Sequence, residues 1–335
     1  MRFGLGWRAE LGSGILANLD RIDVVEVLAE DYFEATPEQV RALRFLRTQV
    51  PVVLHATSLG LASTEPVERK RLDAIARVAG WLEPELWSEH LAFVRAGGCE
   101  IGHLAAPPRN DATLQGLVRN VEEARRVVGS LPLVENVASL VEPPCSSYSE
   151  EEWLHAVLNA TDCDLLLDLH NLHANATNFD FDARELVTSL PGERIRAIHL
   201  AGGKRIERGR VLDDHLHAVP PEVYELLRLV DAPDAMVILE RDGNYPNIEE
   251  LLAELRSAAT AVAAFKHAPA RTMRTERKAA TPAAVLQTLA RLYTDETALT
   301  TFLENPQSIP EIAAIDKDDL RLAFRSFARK RANRH

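Results

Sequence analysis

Short apolar runs recur along this chain at spacings that suit a parallel α/β fold. Eight can be marked: residues 2–7 (RFGLGW), 23–28 (DVVEVL), 51–55 (PVVLH), 86–91 (LWSEHL), 131–136 (LPLVEN), 164–169 (DLLLDL), 195–200 (IRAIHL) and 236–240 (MVILE). Most are continuously apolar rather than alternating, the pattern of strands buried on both faces of a parallel sheet. Segments with helical spacing separate them, among them 37–48, 66–82, 113–129, 149–160, 220–230 and 247–265. Thr36-Pro37, Glu65-Pro66, and Ser149 followed by Glu152 are helix-start signals. This alternation of strand and helix predicts a closed TIM (β/α)8 barrel over residues 1–265. An open doubly wound sheet would want a Gly-rich phosphate turn after its first strand, and Gly4-Leu5-Gly6 lacks the third glycine.

Beyond the barrel, residues 266–281 carry charge and proline with little apolar content and read as a linker. Residues 282–335 return to helical spacing (PAAVLQTLARLY, ALTTFLENP, DDLRLAFRSFARKR) and predict a small helical accessory region. It is too short to stand as an independent domain without docking.

Composition narrows the classes. At 335 residues and 46% hydrophobic, the chain can build a large core. Its net charge of −12 argues against non-specific nucleic-acid binding, which needs a basic footprint. The charge is uneven: residues 1–265 carry 25 Lys and Arg against 42 Asp and Glu, and residues 266–335 carry 13 against 8. Cys99, Cys145 and Cys163 are odd in number and lack CxxC spacing, so neither a disulfide framework nor a thiolate cluster is expected. The first residues show no apolar signal-peptide core, and no stretch approaches a membrane span, so a cytoplasmic location without membrane contact is expected.

The chemistry concentrates at the strand ends. His55, His90, Glu135, Asp168, Asn171, His199, Asp213, His215 and Glu240 sit at or just past the ends of successive runs. In a closed parallel barrel those ends converge on one pocket. Nine N and O donors exceed the needs of one ion and suit two or three. Glu135 and Glu240 each close an apolar run, where an unpaired carboxylate costs several kcal/mol to bury. Arg241 would point to the opposite face from Glu240, so a metal is the expected partner of Glu240, with a salt bridge to a distant arginine as the alternative. In DLHNLHANATN the many amides and imidazoles suit a capped turn, a role that fits Asp168 poorly. Gly202 and Gly203 let the backbone turn closely over the pocket. In VLDDHLH, Asp213 with His215 and His215 with His217 share the same i, i+2 extended spacing, and spacing does not choose between them. Asp214 and His217 are then outer partners or solvent-facing. Glu26 and Glu30 read as interior or rim carboxylates. Cys99 and His103 read as members of a Gly-rich loop, and Phe302, Phe324 and Phe327 as a small core.

The ordered set GLGWRAEL, EVLAEDYF, the strand ending in His55, SEHLAF, ENVAS, DLHNLHANATNFDFD, IHLAGG, LDDHLHAVPPEVYELL and ILERDGNYP resembles the multinuclear non-heme iron-dependent oxidative enzymes of the methanobactin-biosynthesis type. The resemblance covers about residues 3–255. It implies a barrel holding two or three irons, as Fe(II) and Fe(III). With O2 as co-substrate these would oxidatively modify a ribosomally synthesised precursor peptide (RiPP), often at cysteine. It also implies a small partner protein that recognises the leader peptide. Carried over, His55, His90 and Glu135 hold one metal, and Glu135 bridges to a second shared with Asp168, His199 and Glu240. Asn171, Asp213 and His215 hold the third, which favours Asp213 over His217. Asp213, His215 and Glu240 form the candidate catalytic set. Leu216 stands where a glycine is usual and Tyr224 where a tryptophan is usual, so the pocket near the third metal departs from the family's shape.

The rival expectations are a zinc or manganese hydrolase or isomerase on the same barrel. They resemble the three-zinc phosphodiesterases that cut DNA at abasic sites, and the divalent-metal sugar isomerases. Asn171, where the former resemble one another in using histidine, argues against the DNA enzymes. A metal-carrying or peptide-docking protein without chemistry of its own would not need ligands from so many strands.

Overall fold

The structure, a computed structural model, describes residues 1–263 and 283–332, with side chains to residue 329. The linker expected at 266–281 lies outside the described residues, as do His267 and His335. Eight strands close a parallel barrel: β1 (Arg2–Gly6), β2 (Val24–Leu28), β3 (Val52–Ala56), β4 (Trp87–His90), β7 (Leu133–Glu135), β8 (Leu165–Asp168), β9 (Ile195–Leu200) and β12 (Met236–Leu239). Two hairpins interrupt the series: β5 (Phe93–Ala96) with β6 (Cys99–Ala105), and β10 (Lys204–Arg205) with β11 (Val211–Leu212). The barrel closes by pairing β1 with β12, Gly4 opposite Ile238.

Continuous apolar runs are needed because both faces of each strand are covered. One face, with Val25, Val27, Leu54, Val134, Leu167, Ile198 and Val237, joins the main core under the helices. The other face fills the barrel in layers. Val24, Val53, Met236 and Ile238 form one apolar cluster, and Leu133, Leu166 and Ala197 another. Side chains alternate along a strand, so the next inward position lies two residues on. There the chain places Glu26, His55, Glu135, Asp168, His199 and Glu240 after Val24, Val53, Leu133, Leu166, Ala197 and Ile238. The interior therefore changes from hydrocarbon to ligand-type groups within one step. On β1 no side chain competes for this layer: a Cβ at Gly6 would lie 3.1 Å from the Arg8 guanidinium that occupies the space.

The helix starts expected at Thr36-Pro37 and at Ser149 with Glu152 are present, each with a capping box, the first closed by Gln39. The helix expected from Pro66 instead starts at Arg69, and Glu68 gives no side-chain cap. Cys99 and His103, expected in a Gly-rich loop, lie instead on β6 of the β5–β6 hairpin, which turns at Gly97-Gly98 with positive φ. Residues 169–179, expected as a capped turn, are the helix Leu169–Phe179, and the Asp168 side chain caps it by accepting from Asn171 N at 2.7 Å. This resolves the poor fit of Asp168: one oxygen caps and the other faces the pocket.

The C-terminal helices Ala283–Thr294, Glu296–Glu304 and Lys317–Ala332 form a second core with the first hairpin. Phe93, Ile101, Leu140, Val141, Leu289 and Phe302 are buried in it, with Phe324 and Phe327 half-buried against it. Among the described residues no helix is long and apolar enough to cross a membrane.

Candidate metal centre

His55 and His90 aim their Nε2 atoms at one oxygen, Glu135 Oε2, from 3.5 and 3.3 Å. Ser88 Oγ, 2.8 Å from His55 Nδ1, holds the other side of that ring. Across the barrel, His199 Nδ1 lies 3.4 Å from Glu135 Oε1 and 3.3 Å from Glu240 Oε2. Its Nε2 lies 2.9 Å from the buried Glu26 carboxylate. His215 Nδ1 is 3.1 Å from Glu240 Oε2, and its Nε2 is 2.7 Å from Asp213 Oδ1 and 3.8 Å from Asp168 Oδ2. Asn171 donates to Asn136 O at 3.0 Å, and Asn136 exchanges two hydrogen bonds of 2.9 Å with the Asp168 backbone. That clasp locks the ends of β7 and β8 together.

Eight of the nine residues proposed from the sequence are thus brought together at the C-terminal rim, and Asn171 lies beside Asp168 with its Oδ1 buried. Four sets bring donor atoms within 4.8 Å of one another: His55, His90 and Glu135; Glu135, Asp168 and His199; Asp168, His215 and Glu240; and His170, Asp213 and His215. Glu135, Asp168 and His215 each belong to two sets. Glu135 Oε2, Asp168 Oδ2, Asn171 Oδ1 and His199 Nδ1 are buried and make no hydrogen bond. Such orphaned atoms cost several kcal/mol unless a cation takes them up. The donor set is imidazole, carboxylate and amide oxygen, which suits divalent and trivalent first-row metals.

The charges lean on one another. Burial lowers His90, but Glu135 and Glu89 outweigh it and raise it to about 9. Burial likewise opposes protonation of His199 and His215, yet the surrounding carboxylates (Glu26 first for His199, Asp213 first for His215) hold both well above the ordinary value. Burial pushes Asp168 up to about 7, against the pull of His215. Burial would raise Asp213 and Glu240 too, but the histidines beside them hold both well below the carboxylate range. Protons here do the job a metal would do.

Several groups escaped sequence reasoning. Arg8 reaches Glu240 Oε1 at 3.0 Å and Asp242 at 2.5 Å. The distant-arginine alternative for Glu240 therefore holds for one oxygen, while the other faces His199 and His215. Arg241 does turn away, to Glu254 at 2.9 Å. His170 Nδ1 lies 2.8 Å from Asp213 Oδ1; its only signal was its place two residues after Asp168. The expected extended spacing of Asp213 and His215 is not how they meet, because His215 has φ +53° and a left-handed turn brings the pair together. His217 instead bonds Asp214 at 2.9 Å, half out in solvent. Gly202 and Gly203 serve by close approach rather than by φ: a Cβ on Gly203 would come within 2.1 Å of Leu212 O and 2.6 Å of the His170 ring.

The fold is shared with known barrels. A D-tagatose 3-epimerase-like protein matches with TM-score 0.52 at 17% identity, covering 78% of this chain and 98% of that one. Endonuclease IV from Thermus thermophilus matches with TM-score 0.51 at 17% identity, over 78% and 99%. Likeness at that identity shows the barrel alone. Closer relatives are a UPF0276 protein of Streptomyces avermitilis, 37% identical over 75% of this chain and 53% of its own length. Another, of Anaeromyxobacter sp. (strain Fw109-5), is 33% identical over 78% of this chain and 93% of its own. The chain thus spans about half of the Streptomyces relative and nearly all of the Anaeromyxobacter one. Residues 2–263 match the family described as RiPP precursor modification enzyme MbnB/TglH/ChrH, and that match, spanning the barrel and every strand-end ligand candidate, places this chain in that family.

Proposed function

We propose that this protein holds two or three irons at the barrel rim and uses O2 to oxidise a ribosomally synthesised precursor peptide, at cysteine or another side chain that can bind iron. The observation that carries the reading is the ring of orphaned, inward-facing N and O atoms shared between adjacent donor sets. Among the described residues no cysteine belongs to those sets, which favours a redox-active iron centre over a thiolate site. Bound iron would supply the redox chemistry and open positions for the peptide side chain and O2.

The chain's own groups prepare the site. In the proposed assignment His55, His90 and Glu135 hold one metal. Glu135, Asp168, His199 and Glu240 hold a second, and Asn171, Asp213 and His215 a third. Ser88 and Glu26 bond the outer nitrogens of His55 and His199, which fixes each ring with its other nitrogen turned inward. Arg8 takes one oxygen of Glu240 and offsets part of the carboxylate charge. The precursor peptide would be delivered by a small partner that recognises its leader.

The test is metal content per chain after purification without oxygen, with Mössbauer spectroscopy to assign oxidation states. O2 uptake is then measured with a Cys-bearing precursor peptide. Two or more irons and peptide-dependent O2 uptake are expected, with both uptake and one metal equivalent lost in Glu240→Ala. Full occupancy by zinc or manganese after iron-supplemented expression, with turnover that ignores O2, would instead favour hydrolysis or isomerisation.

A further inference from the structure

The family match ends at residue 263, and the C-terminal helices lie beyond it. They are nevertheless built into the rim. Their core takes in Phe93, Ile101 and Ala105 from the hairpin that follows His90, Leu140 and Val141 from the loop that follows Glu135, and Leu212 next to Asp213. Three ligand-bearing segments, those of His90, Glu135 and Asp213, are thus gathered by one helical unit.

Ion pairs tie the helices to the β10–β11 hairpin as well, which runs straight into Asp213. Arg210 pairs with Asp319 of helix Lys317–Ala332, and Asp319 is only 5% exposed. Arg208 Nη1 lies 2.6 Å from Asp316 Oδ1 and 3.3 Å from Asp319 Oδ1, and Asp316 in turn accepts from Asp319 N at 3.1 Å. On the opposite side Asn178 clasps Val211, accepting from its N–H at 2.8 Å and donating to its carbonyl at 3.1 Å. The hairpin is therefore held between the helix that follows Asp168 and the last helix of the chain. What it delivers needs holding: His215 sits at φ +53°, a conformation a non-glycine residue keeps only when its surroundings impose it.

We infer that Asp319 is a positioning residue for the Asp213–His215 ligand pair, so that the C-terminal helices form part of the metal centre rather than an appendage to it. The inference rests on the metal reading proposed above. It acts through the chain: Asp319 fixes Arg210, Arg210 fixes the register of β11, and β11 sets where Asp213 and the left-handed turn at His215 lie.

The experiment uses the full chain, stripped with a chelator and titrated with Fe(II) alone under argon. It compares the wild type, D319R, R210D and the charge-swapped R210D/D319R, with hydrogen exchange of residues 204–216 followed in parallel. In D319R and R210D one iron equivalent should bind roughly tenfold or more weakly, in line with the loss of a partner that orients a ligand. Exchange across 204–216 should quicken while the barrel strands keep their protection. The charge swap should recover both. Should a charge reversal unfold the protein, D319N and R210Q give the same comparison with a milder change. Wild-type iron binding and exchange in folded D319R or D319N would overturn the inference, as would a charge swap no better than the singles. A wild type that binds no Fe(II) would defeat the metal reading itself, a different result from variants that bind as the wild type does.

Discussion

At the residue scale, the ligand candidates were legible because each is a polar group where hydrocarbon is expected. Glu135 behind PLV and Glu240 behind MVIL announce themselves by the cost of burial. Their partners were not legible. Glu26 meets His199 across 173 residues and Arg8 meets Glu240 across 232, and no local pattern records such pairings. Glu26 is the sharper test of what the partners do. Glu26→Gln keeps the shape but removes the charge that orients His199, and metal affinity should fall about 10- to 100-fold, read by competition with a chelator. The histidines also set a pH dependence for the metal-free protein. His90, raised from 6.5 to about 9, contributes stability that is complete below pH 6.5 and is lost as pH rises through 9. His199 and His215 act in the same direction. Thermal melts of the stripped protein should therefore fall between pH 6.5 and 9. The metal-loaded protein should escape that fall, because metal ions replace the protons.

At the element scale, strands were read more surely than what joins them. Continuous apolar runs mark barrel strands whatever lies between. The β5–β6 hairpin was hidden because Gly97-Gly98 suggested a loop, although paired glycines also serve tight hairpin turns. Helix Leu169–Phe179 was hidden because Asn and His favour caps and turns; burial of Leu169, Leu172 and Ala174 overrides that preference. Packing between elements makes its own prediction at Gly203, where β11 and His170 leave no room for a side chain. Gly203→Ala must move one of them. It should cost about 1–3 kcal/mol in a denaturant melt, as overpacking does, and should weaken metal binding in the same variant.

At the scale of the whole molecule, eight runs at regular spacing were enough to anticipate closure, and the family match over residues 2–263 agrees with the resemblance carried by the ordered motifs. The basic tail was a poorer guide. Residues 266–335 are basic on balance, but the ion pairs to the β10–β11 hairpin use acidic residues of this region, Asp316 and Asp319. The second core is shared between the helices and barrel loops, so neither side keeps it alone. A chain cut after residue 263 would bare Phe93, Ile101, Leu140 and Val141. It should bind apolar dyes and self-associate in sedimentation, whereas residues 283–335 alone should show no cooperative melt by circular dichroism.

Closure of the barrel through β1 and β12 also bears on when the centre can exist. Arg8 leaves the ribosome early and Glu240 leaves it late, and at about 5–20 residues per second many seconds separate them. During that interval His55, His90 and Glu135 are present without the strand that completes their surroundings. A growing chain can offer a passing ion only fragments of the site. On the metal reading proposed above, an ion would enter a finished, closed barrel through its rim, and the loops around that rim would govern its entry as much as that of a peptide.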